Sequence, residues 1–146
     1  MVARTSLILL LIALAGCEPM GPMPGKALSG DVLTLPASLA SLNKAEVVQL
    51  ETEGPYSVNI WGVVADNDYY VASSNGSESN WAKRISRSPD VRLRVDGNVF
   101  ELNAVRVDAE DELTRVAGAF NQKYDLDAES DFPDVVVYRL EPRTSR

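Results

Sequence analysis

The stretch from Ser57 to Val107 limits the fold more than any other part of the chain, because it carries two hairpin signals on either side of one short helix. Ser57 to Ala65 (SVNIWGVVA) is rich in β-branched and aromatic residues and reads as a strand. Asp66-Asn67-Asp68 supplies a turn, since short Asn and Asp side chains bond their own backbone and tolerate a left-handed conformation. Tyr69 to Ser74 is the returning arm, and Asn75-Gly76 breaks it. Ser79 or Asn80 then caps a helix carrying Trp81, Ala82 and Ile85, which Pro89 stops. In the next strand Val91, Leu93 and Val95 face one way and Arg92 and Arg94 the other, giving it one wet face. Arg92 and Arg94 are expected to be solvated or paired with Glu101. Asp96-Gly97-Asn98 is a tight-turn signal, and Val99 to Val107 returns as the partner strand.

The flanks add fewer elements. Leu28 to Leu42 is ambiguous, with Pro36 placed to open a short helix reaching Asn43. Glu46 to Glu53 (EVVQLETE) reads as the first strand, ended by Gly54-Pro55. Asp108 is the expected N-cap of the clearest helix, whose first turn holds Glu110, Asp111 and Glu112. Leu113, Val116, Ala117, Phe120 and Tyr124 form its apolar stripe. Asp125, Asp127, Glu129 and Asp131 alternate as in a calcium loop, but the required glycine and terminal glutamate are missing, so this is read as solvated loop. Val135 to Leu140 is apolar on both faces, which suits a central or barrel-closing strand. About six antiparallel strands with short connections and two or three peripheral helices predict a mainly β, α+β domain. A small closed or partly open barrel protects such edges best.

Composition removes several function classes. The chain has no histidine, which excludes every His-dependent triad and the commonest metal ligand. Its single cysteine excludes an internal disulfide and a Cys-based zinc site, and no metal site is expected. The formal charge is -7, from 14 basic and 21 acidic residues. Nucleic acid is therefore not an expected partner, because its phosphates require clustered Lys and Arg.

Residues 1–16 combine Arg4 with an apolar run from Leu7 to Ala15, too short for a bilayer span but suited to a secretory signal. The run ends in Leu14-Ala15-Gly16-Cys17, which resembles the lipobox of bacterial lipoprotein precursors. The resemblance implies cleavage before Cys17, its lipidation, and a membrane anchor of several acyl chains, since one chain alone holds only marginally. The expected location is the cell envelope, lipid-anchored and periplasm-facing, with Glu18 slightly favouring the outer membrane. Residues 17–30 then read as the lipidated cysteine and a Pro/Gly-rich tether, and residues 31–146 as the folded domain.

Trp61, the run Tyr69-Tyr70-Val71 leading to Ser73-Ser74-Asn75-Gly76, Asn80-Trp81, and Pro89 to Val95 resemble, in order and spacing, the FMN-binding split β-barrel superfamily of pyridoxamine-phosphate-oxidase-like and deazaflavin-dependent reductase-like proteins. Ala119 to Tyr124 and Tyr138 to Arg143 are similar to its DUF2255 branch. The resemblance covers roughly residues 45 to 143. It implies FMN or a related cofactor at the barrel edge, in a homodimer interface. Ser73, Ser74, Asn75 and Gly76, with Arg84 on the following helix, would hold the phosphate, and Trp61 and Trp81 would flank the site. Three readings stay open: an FMN-dependent oxidoreductase, with no catalytic residue assigned; a non-catalytic binding or structural lipoprotein that has lost the cofactor; and a small-molecule or haem-sequestering barrel.

Overall fold

A computed structural model describes residues 18–126 and 134–144. The expected signal segment 1–16, Cys17, and the Asp127, Glu129 and Asp131 alternation lie outside the described residues. Eight strands make one sheet: β1 (Asp31–Leu33), β2 (Val48–Thr52), β3 (Tyr56–Ile60), β4 (Gly62–Ala65), β5 (Asp68–Ser73), β6 (Asp90–Val95), β7 (Asn98–Arg106) and β8 (Val136–Pro142). Two α-helices accompany them, α1 (Asn80–Ile85) and α2 (Glu110–Tyr124).

The strand path is β3-β2-β6-β7-β8-β5-β4, antiparallel throughout, with β1 added in parallel to β7. The two ends of that path, β3 and β4, are consecutive in the chain and separated by Trp61 alone. The expected strand Ser57–Ala65 is thus one extended run that changes partners at Trp61, from β2 to β5. That change curls the sheet into a split β-barrel with six staves, as the strand count predicts.

Local chemistry fixes the hairpins. Asp66 and Asn67 both have positive φ between the paired Ala65 and Asp68, and Asp96 and Gly97 do the same between Val95 and Asn98. This is the turn whose twist suits a two-residue hairpin. The barrel interior holds Val48, Leu50, Tyr69, Val71, Val91, Leu93, Val95, Leu102 and Leu140. Helix α1 adds Trp81, Ala82 and Ile85 to this core and packs against β2 and β3. A second apolar layer lies where Val116 and Phe120 of α2 meet Val63, Tyr70 and Val137. Strand β8, with Tyr138 and Leu140 in one layer and Val137 in the other, sits between β7 and β5 as its two apolar faces predict.

Several expectations change. The helix proposed near Pro36 is absent: the segment holds only a 3-10 turn at Leu42–Lys44. The loop before it is pinned by Asn67, which donates to the Ala37 carbonyl and accepts from the Leu39 amide. Helix α2 begins after Ala109 without a side-chain cap, because Asp108 pairs with Arg106 instead. Ala117 is exposed, so the stripe on α2 narrows to Val116 and Phe120 with Leu113, Ala119 and Tyr124 at its margin.

The outer face of β6 is covered rather than wet. Residues 18–30, read as a tether, lie against it in two rows of outward side chains that cross β6, β2 and β3. In the first row, Arg94, Gln49 and Asn59 are cross-strand neighbours. Arg94 binds Glu18 at 2.6 Å and Gln49 at 2.9 Å, while Asn59 donates to the carbonyls of Pro19 and Gly21. In the second row, Arg92, Glu51 and Ser57 are neighbours. Glu51 accepts from the Leu28 amide at 2.6 Å and from Arg92, Arg92 donates to the Leu28 carbonyl, and Ser57 exchanges backbone bonds with Gly25. Leu28 is left 3% exposed. Arg92 therefore pairs with Glu51 rather than Glu101, although Glu101 faces it across the hairpin.

Candidate functional site

The partner change at Trp61 creates the most unusual local chemistry in the barrel. As the strand leaves β2 for β5, backbone groups on both sides need partners, and the last turn of α2 supplies them. Lys123 Nζ donates to the carbonyls of Ala45 (2.8 Å) and Gly62 (2.6 Å). The Tyr124 hydroxyl lies within donating distance of the Glu46 (2.7 Å) and Gly62 (2.9 Å) carbonyls, which share its one proton, and accepts from the Gly62 amide at 3.2 Å. Burial lowers the pKa of Lys123 and raises that of Tyr124, because each charged form loses hydration.

Trp61 is held by the same tyrosine. The two rings are stacked, with centroids 4.5 Å apart and planes within 9°. The indole is still 46% exposed, so it presents apolar aromatic surface to the outside. Pairing of β4 with β5 ends at Gly62 and Val71, two residues before Ser73. Trp61 and the Ser73–Gly76 loop therefore leave the β4–β5 pair at the same end.

The loop and α1 are built mainly to hold themselves. Ser73 is buried and donates to Ser79 Oγ at 2.9 Å. Ser79 caps α1 by accepting from the Ala82 amide at 3.4 Å. Ser74 and Asn75 are exposed polar residues. Gly76 has φ of 58° and packs so closely on Asp134 that a Cβ would lie 2.3 Å from its carbonyl oxygen. Trp81 is 7% exposed, in the barrel core, and tilted against Tyr138. Arg84 donates to the Glu53 carbonyl at 2.7 Å and lies 4.5 Å over the Tyr56 ring. Glu78 is paired with Lys83 at 2.9 Å. These residues fit a planar ring, at Trp61, better than they fit a phosphate, for which Ser74 and Asn75 are the donors without a side-chain partner among the described residues.

A shallow pocket of about 140 Å³ opens elsewhere, between the β2–β3 turn and β6, lined by Glu51, Glu53, Asp90, Arg92 and Arg143 among others. None of the residues expected to hold a cofactor lines it. Arg139, which the sequence marks only through its terminal motif, ties β8 to α2 by pairing with Glu112; Tyr70 donates to that same carboxylate at 2.9 Å. The Arg139 guanidinium and the Tyr70 hydroxyl hold the Glu112 carboxyl below its usual range. The roles of Lys123 and Tyr124 are not visible in the sequence, since their partners lie about sixty to eighty positions away. The lone Gly62 was the available signal: a Cβ there would lie 2.5 Å from the Tyr69 hydroxyl, and glycine inside a strand marks such an approach.

Comparison with known proteins agrees with this architecture. The model of a family described as an uncharacterized protein conserved in bacteria (DUF2255) matches residues 38–145. Among curated proteins no sequence matches. A conserved hypothetical protein of Mycobacterium tuberculosis superposes with a TM-score of 0.62 at 20% identity, over 82% of this chain and 87% of that one. A candidate pyridoxamine 5'-phosphate oxidase of Listeria innocua gives 0.59 at 21% identity, over 74% and 92%. A FAD-binding protein of Mesorhizobium loti gives 0.52 at 14% identity, over 70% and 83%. At these identities the likeness establishes the fold.

Proposed function

The chain belongs to the DUF2255 family, and on that footing we propose that it is a lipid-anchored envelope protein whose split barrel binds a flavin-type cofactor, FMN in the first instance. The observation that carries this reading is the Trp61 indole, fixed flat by Tyr124 and open to the outside, at the barrel end that also carries the Ser73–Gly76 loop. A rigid aromatic face offers an isoalloxazine ring stacking area at little cost in side-chain entropy. Ser74 and Asn75 offer the polar end of the molecule its hydrogen bonds. Flavin supplies hydride chemistry when bound, so an oxidoreductase built this way needs no histidine. Trp61 lies on the outside of the barrel, so a second copy of the chain supplies the opposing wall, which makes the binding form a homodimer. The likeness to a FAD-binding protein and to a candidate pyridoxamine 5'-phosphate oxidase supports a flavin over other planar ligands.

Titration of the purified protein with FMN and with riboflavin, followed by flavin fluorescence and light scattering, tests the reading. Saturable binding is expected in the dimeric fraction, with FMN tighter than riboflavin, and Trp61→Ala is expected to weaken both by about tenfold or more. No saturable binding of FMN or a deazaflavin removes it.

A second reading, a non-catalytic envelope lipoprotein on a barrel that has lost its cofactor, draws on a separate observation. Ser73, Trp81 and Arg84, three of the expected cofactor contacts, are fully engaged within the fold. In both readings the anchor is an acylated Cys17, supported by the lipobox-like LAGC sequence, and a free thiol at the mature N-terminus by mass spectrometry would eliminate it.

A further inference from the structure

The first described residue, Glu18, is already bound to the barrel through Arg94, and Pro19 and Gly21 are bound through Asn59. No free linker separates position 17 from the sheet. Immediately after this contact the chain makes a tight turn in which the Met20 and Met23 backbones exchange hydrogen bonds at 3.1 and 3.0 Å around Gly21-Pro22. Both methionine side chains point out of the fold, 67% and 59% exposed.

We infer that the Met20–Met23 turn is where the barrel touches the bilayer, so that the domain sits directly on the membrane in one orientation instead of hanging from a tether. The inference rests on the lipid anchor at Cys17 proposed above. Three residues span at most about 11 Å when fully extended. Met20 therefore stays within about 11 Å of an acylated Cys17, a distance comparable to the depth of the headgroup region on one side of a bilayer. Charge does not provide the contact: without residues 1–16, which contain only Arg4, the chain carries 13 basic and 21 acidic residues, or -8, and is not drawn to anionic lipid. Two flexible, apolar, polarisable side chains at the tip of a rigid turn are suited to the acyl boundary. The Glu18, Asn59, Glu51 and Arg92 bonds behind the turn transmit that contact to the whole barrel.

The test uses the full chain, made in a lipoprotein-processing bacterium and placed in vesicles of phosphatidylethanolamine and phosphatidylglycerol. Acylation occupies the single native thiol, so Met23→Cys or, as a control on the exposed face of α2, Asp111→Cys can carry an environment-sensitive fluorophore. The expected result is a blue shift, with quenching by a nitroxide in the acyl region, at position 23 and neither effect at position 111. An acylated, vesicle-bound protein whose position 23 stays aqueous overturns this inference while leaving the anchor intact. A mature chain that mass spectrometry shows to be unacylated overturns the anchor and the inference together.

Discussion

The Tyr124 hydroxyl accepts from the amide of Gly62 at 3.2 Å and lies 2.9 Å from the carbonyl of the same residue. With Lys123 on the same carbonyl, the last turn of α2 thus serves both backbone groups of the residue that follows the change of partner. Tyr124→Phe keeps the ring against Trp61 but leaves the buried Gly62 amide without its partner. An unsatisfied buried donor costs about 1–3 kcal/mol. Urea unfolding should show that loss as a lower midpoint with an unchanged slope.

Gly62 has a second close neighbour in Tyr69. An alanine there would place its Cβ 2.5 Å from the Tyr69 hydroxyl and 2.7 Å from the ring, and that ring is fully buried. Gly62→Ala is expected to destabilise by about 1–3 kcal/mol through overpacking. The Tyr69 hydroxyl has no hydrogen-bond partner among the described residues, so Tyr69→Phe alone should be neutral or stabilising. In the double variant the cost of Gly62→Ala should shrink, a coupling that a double-mutant cycle measures.

The two tryptophans should behave oppositely. Trp81 packs in the barrel core, and Trp81→Ala is expected to cost about 3–5 kcal/mol. Trp61→Ala removes one aromatic stack and half-exposed surface, at a cost of about 0.5–1.5 kcal/mol for the stacked pair. Iodide should quench the emission of a Trp81→Phe variant, which reports Trp61, far more than that of a Trp61→Phe variant.

Acid should loosen the N-terminal segment. Hydrogen bonds from Arg94 and then Ser29 hold the Glu18 carboxyl below the usual glutamate range. A lowered folded-state value means that the stabilisation is complete above the unfolded titration and is lost as pH falls through the folded one. The window therefore lies at and below about pH 4. Arg94 and Glu18 keep 21% and 34% of their side chains exposed, so solvent still screens the pair and its contribution is about 1 kcal/mol. NMR titration should place the Glu18 midpoint low in the native chain and return it upward in Arg94→Gln.

What the sequence revealed and what it concealed divide by range. Both two-residue turns were legible because Asp-Asn and Asp-Gly adopt positive φ for local reasons, and Ser79 was legible as a cap because its partner is three residues away. The break at Trp61 was hidden inside a run with good strand composition, because it is set by the Tyr69 ring and the end of α2. The cover over Arg92 and Arg94 was hidden for a similar reason. A Pro/Gly-rich segment carries no period, and its docking depends on residues of three strands that alternation alone marks as solvent-facing. Of the candidate site, Trp61 and the Ser73–Gly76 loop could be named in advance, but not which of their side chains the fold consumes internally.

Because a single extended run serves as both the first and the last stave, the barrel has a rivet rather than an overlap. Among the described strands β3 pairs only with β2 and β4 only with β5, so no ladder joins the two ends of the path. Cleaving the backbone at Trp61 would leave every hairpin intact, and the bonds from Lys123 and Tyr124 would remain to hold the ring shut.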